Sequence, residues 1–122
     1  MSDSHLLRGL GVALVTPFHA DGSIDFPALE KLVEHQLRGG TDFLVVLGTT
    51  GETPTLDENE QRQVVGFVQE LSRGQLPMVV GVTGNDTRAL CGRISDWNAE
   101  GVSAFLVASP AYNKPSQSGI VQ

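Results

Sequence analysis

Phe43-Leu44-Val45-Val46-Leu47 runs directly into Gly48-Thr49-Thr50-Gly51-Glu52, and this junction sets the reading of the whole chain. Five apolar, partly β-branched residues read as a strand buried on both faces, and the residues beyond lead into a helix that Thr55 can cap. The pentapeptide therefore occupies a strand-to-helix turn. Its two glycines let the backbone turn tightly and bring N–H groups close to a bound group, while the paired threonines add hydroxyls that donate and accept. Such a pocket suits a small anion, a carboxylate before a phosphate. An ordinary Gly-rich connection has the same composition, so the turn alone does not decide function.

Outward from this junction the pattern repeats. Gly11-Val12-Ala13-Leu14-Val15-Thr16, stopped by Pro17, reads as a first strand, again buried on both sides. Asp25 can cap a helix with Pro27 in its first turn, and Phe26, Leu29, Val33 and Leu37 share one face, with Leu32 beside them, before Gly39-Gly40 ends it. Thr55-Leu56-Asp57-Glu58 has the spacing of a capping box for a second helix, whose buried stripe is Val64, Val65, Val68 and Leu71 and whose stop is Gly74. Met78-Val79-Val80-Gly81-Val82 is a third strand. Asn85-Asp86 can cap a third helix carrying Leu90, Ile94 and Trp97 and ending at Gly101. Ala104–Ala108 is a fourth strand, followed by the loop Ser109–Pro115 and a helix beginning near Ser116.

Strand and helix alternate about every thirty residues, the length of a βαβ unit, which predicts a parallel sheet in an α/β fold. Four units make an open doubly wound sheet or half of an eight-unit (β/α)8 TIM barrel. In both, ligands meet the loops after the carboxyl ends of the strands, so residues 48–52 and 109–115 are expected on one face.

Composition narrows the function. The 122 residues are 40% apolar and carry a net charge of −6, with no basic block to follow a nucleic-acid backbone or an anionic membrane. No run approaches membrane-spanning length, and the start Met1-Ser2-Asp3-Ser4-His5 lacks the basic residues and apolar core of a signal peptide, so a cytoplasmic protein is expected. The single cysteine, Cys91, beside Leu90 and near Ile94, reads as a packed thiol. His5, His19 and His35 show no metal-ligand spacing, so neither metal nor cofactor is expected.

Among the polar residues, a threonine hydroxyl is too weakly acidic to act alone as a base, so Thr49 needs a titrating or proton-passing partner. Tyr112, the one tyrosine, lies in a loop on the expected active face, and it fits either that role or simple packing at a strand end. Glu52 reads as a brace for the turn that accepts backbone N–H bonds. Lys31 on the first helix and Lys114 in the Tyr112 loop lack the desolvated setting of a Schiff-base lysine.

Three segments in this order, Gly11-Val12-Ala13-Leu14-Val15-Thr16-Pro17-Phe18, Gly48-Thr49-Thr50-Gly51-Glu52 and Tyr112-Asn113-Lys114-Pro115-Ser116-Gln117, resemble the dihydrodipicolinate synthases of the N-acetylneuraminate lyase superfamily of pyruvate-dependent aldolases. The resemblance implies a (β/α)8 barrel, of which residues 1–122 would be the N-terminal half of one domain. It implies a Schiff-base lyase that condenses pyruvate with aspartate semialdehyde in lysine and diaminopimelate biosynthesis. Thr49 would link two tyrosines in a proton relay and Thr50 would hold the carboxylate of pyruvate. Tyr112 would reach into the neighbouring subunit of a tight dimer, paired again into a homotetramer. The Schiff-base lysine and second relay tyrosine of that family fall on later strands, so the chain as it stands is expected to be inactive, and poorly soluble through its open sheet edges. Another pyruvate aldolase acting on a sugar acid, or a non-catalytic half-barrel, remains an alternative. At the places where lysine-inhibited members carry histidines, a glutamate and a tyrosine, this chain has Glu58, Gln61, Ala89 and Ala111.

Overall fold

A computed structural model of the chain describes residues 7–97 and 101–122. Its four strands, β1 (Gly11–Ala13), β2 (Phe43–Val46), β3 (Met78–Gly81) and β4 (Ala104–Leu106), form one sheet in the order β1-β2-β3-β4. All three pairings are parallel, with Gly11 opposite Phe43, Leu44 opposite Met78 and Val79 opposite Ala104. Between them run α1 (Phe26–Gly39), α2 (Glu58–Ser72) and α3 (Thr87–Asp96), and α4 (Gln117–Val121) follows β4. Consecutive order without reversal is the arrangement of a barrel wall, whereas a doubly wound sheet reverses direction at its switch point. All four strands present their carboxyl ends on the same side.

Local chemistry explains the helix ends. Asp25 caps α1 by accepting from the N–H of Ala28 at 2.9 Å, and Gly40, left-handed at φ 78°, closes the other end. Asp86 caps α3 through the N–H of Ala89, and Ser116 caps α4 through that of Gly119. The α2 cap differs from expectation. Its N-cap is Asp57, not Thr55: Asp57 accepts from the N–H of Glu60, and Glu60 returns the bond to the N–H of Asp57 at 2.9 Å. Thr55 instead bonds the carbonyl of Glu52, because two short 3-10 turns separate the strand from the helix. The third helix also ends sooner than Gly101, at Asp96, with the N–H of Trp97 bonded to the carbonyl of Arg93.

Burial follows one face of the sheet. Leu44, Val46, Met78 and Val80 meet Leu29 and Val33 of α1 and Val64 and Val68 of α2 in one apolar core. Phe26 and Phe67 tie the two helices together with rings 5.1 Å apart and edge-on. The other face is less covered: in β2, buried Leu44 and Val46 alternate with half-buried Phe43 and Val45, so β2 is not sealed on both faces. The first strand is also shorter and more open than the sequence suggests, with Leu10 61% and Val15 48% exposed beside it. It is an edge strand, as is β4, and exposed large apolar side chains gather along both, including Leu106 and Val107.

Candidate active site

The turn after β2 is built by an unusual backbone step. Leu47 leaves the strand at φ 58°, a left-handed conformation that a leucine adopts at a cost of roughly 1–2 kcal/mol, and its side chain is only 1% exposed. The chain then runs through Gly48 into a single 3-10 turn, Thr49–Gly51. Two buried hydroxyls hold it from within. Thr53 Oγ1 lies 2.7 Å from the carbonyl oxygen of Leu47 and 3.1 Å from that of Gly48, and Thr16 Oγ1 donates to that of Gly51 at 2.7 Å. The N–H groups of Gly51 and Glu52 close on the carbonyls of Gly48 and Thr49.

This leaves a consistent polarity. The carbonyls of Leu47, Gly48 and Gly51 accept from threonine hydroxyls, while the N–H groups of Thr49 and Thr50 have no acceptor among the described residues, and both side chains are exposed. Gly51 fits because a Cβ there would lie 3.3 Å from Thr16 Oγ1 and 3.4 Å from the carbonyl oxygen of Leu14. Glu52 braces the turn differently from the sequence reading. Its backbone is left-handed at φ 55° and its carbonyl accepts from Thr55, but its carboxylate caps nothing among the described residues.

Three loops converge at this end of the sheet. The guanidinium of Arg93 donates to the carbonyl of Thr83, and Asn85 Oδ1 accepts from the N–H of Ala111 at 3.0 Å, which joins the β3 loop to the β4 loop. Thr49, Gln61, Asn85, Ser109 and Ala111 line a common cavity of about 430 Å³. The fold therefore brings Thr49 to the same rim as the loop of Tyr112. The tyrosine side chain itself points away into solvent, 90% exposed, and no hydrogen bond joins it to Thr49 among the described residues.

Other candidates fall elsewhere. Lys31 and Lys114 are both exposed, the first on α1 and the second in the β4 loop at φ 41°. Cys91 is not packed as expected but exposed: Leu90 takes the buried side of α3, and its neighbour is turned about 100° away. Thr16 and Thr53 are the contributors that sequence reading missed. Thr16 reads as a strand residue, and nothing local marks its contact with Gly51, 35 positions on.

Consecutive parallel strands with polar turns at their carboxyl ends define a chain of the (β/α)8 barrel class, about four βα units of it. More narrowly, the sequence profile of the Dihydrodipicolinate synthetase family matches residues 6–122, and the chain belongs to that family. The 4-hydroxy-tetrahydrodipicolinate synthase of Parabacteroides distasonis is 53% identical over 116 residues, 95% of this chain and 39% of that protein. The corresponding enzyme of Koribacter versatilis is 51% identical over 93% of this chain and 38% of its own length. The chain thus spans about two fifths of the curated relatives it matches. Among solved structures, the dihydrodipicolinate synthase of Thermotoga maritima superposes with a TM-score of 0.89 at 40% identity, covering 95% of this chain and 39% of that one. The N-acetylneuraminate lyase of Proteus mirabilis superposes at 0.83 with 30% identity, covering 90% and 37%.

Proposed function

We propose that residues 1–122 form the first four βα units of a single barrel domain in a pyruvate-dependent lyase, which condenses pyruvate with aspartate semialdehyde in lysine and diaminopimelate biosynthesis. The observation that carries this reading is the turn after β2: the carbonyls of Leu47 and Gly48 are engaged by Thr53 and that of Gly51 by Thr16, and the Thr49 and Thr50 N–H groups at the barrel rim have no acceptor among the described residues. Free N–H groups beside a hydroxyl suit a carboxylate, so Thr50 is the residue for the carboxylate of pyruvate. Thr49 is the relay hydroxyl. Tyr112, held outward on a loop that Asn85 braces, is the relay tyrosine supplied to a second copy of the chain, which makes a homodimer part of the site and a dimer of dimers the assembly. The reaction needs no metal or cofactor. Among the described residues no helix is long and apolar enough to cross a membrane, and the proposed setting is the cytoplasm.

The nucleophile is the discriminating test. Lys31 and Lys114 are both exposed, and neither has the desolvated pocket that a Schiff-base nucleophile needs. Borohydride reduction in the presence of pyruvate, read by mass spectrometry, is expected to leave the 122-residue chain unmodified and to add one pyruvate to the complete enzyme on a lysine of a later strand. An adduct on Lys31 or Lys114 contradicts this assignment.

The structural match to a neuraminate lyase supports a second reading, a pyruvate aldolase acting on a sugar acid. A panel that sets condensation with aspartate semialdehyde against cleavage of sialic and keto-deoxy sugar acids separates the two. Regulation is read from four positions, Glu58, Gln61, Ala89 and Ala111, of which Gln61 and Ala111 line the cavity beside Thr49. The amide of Gln61 is engaged by the carbonyl of Leu56 at 3.0 Å, Glu58 pairs with Arg62 at 2.9 Å, and Ala89 and Ala111 offer no polar side chain. Free lysine is therefore expected not to bind the complete enzyme in the micromolar range. Equilibrium dialysis measures this directly, and micromolar binding contradicts it.

A further inference from the structure

We infer that Gly81 is a positioning residue for the carboxylate-binding turn, a role that rests on the function proposed for Thr49 and Thr50. Gly81 ends β3, and a Cβ built there would overlap the carbonyl oxygen of Leu47, 2.6 Å from its carbonyl carbon and 2.9 Å from the nitrogen of Gly48. All three atoms are backbone. The Leu47–Gly48 peptide thus fills the space that a side chain at 81 would take, and it is the same peptide that the left-handed Leu47 and the Thr53 hydroxyl orient. Other glycines near the sheet do not share this. A Cβ at Gly48 would meet only a valine methyl at 3.7 Å, and one at Gly11 would meet the ring of Phe43, a side chain that can turn aside.

The direction of movement is fixed by the pairing. Val80 is registered with Val46 on one side and Phe105 on the other, Gly81 with Leu106, and the N–H of Val82 bonds the carbonyl of Leu106 at 3.0 Å. With β3 held on both sides, a methyl group at 81 pushes the turn rather than the strand. Restoring ordinary carbon contacts of about 3.5 Å moves the Leu47–Gly48 peptide by about 1 Å. Thr49 and Thr50 follow at once in the chain and move with it, and a displacement of that size in a positioned group can cost about 10²-fold in rate.

The test follows the turn itself. Pyruvate is titrated into the complete 15N-labelled enzyme as wild type, Gly81→Ala and Val79→Ala, with amide resonances of residues 49–51 reporting on the turn and those of β1 and α1 on the fold. Wild type is expected to show pyruvate-dependent shifts at Thr49 and Thr50. Gly81→Ala is expected to weaken pyruvate at least tenfold with β1 and α1 unchanged. Val79→Ala removes buried methyls from the same strand without pressing on the turn, so it lowers the melting temperature and keeps pyruvate affinity. Wild-type affinity in Gly81→Ala overturns the inference. Absence of shifts at 49–51 in the wild type overturns instead the carboxylate role of the turn. Should Gly81→Ala not fold, Thr53→Val releases the same peptide without added volume, and its pyruvate affinity is expected to fall likewise; unchanged affinity there overturns the inference.

Discussion

Thr49→Val in the complete enzyme is expected to lower the turnover of pyruvate condensation by about 10²–10⁴-fold, the span associated with losing a positioned acid–base group. Valine keeps the branched shape and removes only the hydroxyl. Because the Thr49 side chain is exposed and its backbone serves the turn by accepting from the N–H of Glu52, the fold is expected to be unaffected. Tyr112→Phe is expected to lose activity to a similar degree for the same reason. A mixture of the two variants sharpens the assignment. If Tyr112 serves the neighbouring copy, a mixed dimer has one site that lacks both groups and one site that keeps both, so activity returns partially on mixing. Steady-state rates of each variant and of the mixture measure this, and unchanged turnover in either single variant contradicts the relay.

Thr50→Val is expected to act on binding. A hydroxyl bonded to a carboxylate is a charge-assisted contact worth about 1.5–3 kcal/mol, which raises the KM for pyruvate by about 10–100-fold. The second substrate is not held by this residue, so its KM is expected to stay near wild type. The contrast with Thr49→Val is the useful part: one neighbour changes turnover, the other changes affinity. Equal effects of both variants on both parameters would point to a collapse of the turn as a whole.

The parts legible in the sequence are those set by local chemistry. Asp25 and Asp86 cap their helices as read, α4 starts at the expected place beside Ser116, and Gly40 closes α1, because each needs only neighbours three or four residues away. The thirty-residue alternation likewise gives a parallel sheet with its turns on one side. The misreadings occur where tertiary contacts outweigh local pattern. Thr55 and Asp57 both fit the start of α2, and only the 3-10 turns that Leu47, Gly48 and Thr53 organise decide for Asp57. An apolar run such as Gly11–Thr16 looks equally buried in a central strand and at an edge, and the edge position of β1 depends on the sheet order. Cys91 sits beside a buried leucine in sequence, yet a helix turns neighbouring residues to different faces.

The candidate site divides in the same way. Thr49, Thr50 and Tyr112 stand out because their residue types carry chemistry in loops. Thr16, Thr53 and Gly81 do not, since their contributions are a hydroxyl bonded to a distant carbonyl, a hydroxyl shared between two carbonyls, and an absent methyl group. Strain at Leu47 is equally silent in sequence, because nothing in a buried leucine at a strand end announces φ 58°.

A crystal structure of the complete enzyme with pyruvate trapped by borohydride addresses the shared rim of residues 49, 50 and 112 most directly. The trapped carboxylate is expected within hydrogen-bonding distance of the Thr50 hydroxyl and the turn's N–H groups, with Thr49 Oγ1 bonded to Tyr112 of a second copy. A carboxylate bound away from this turn, or a Tyr112 that meets no site in either copy, would contradict it.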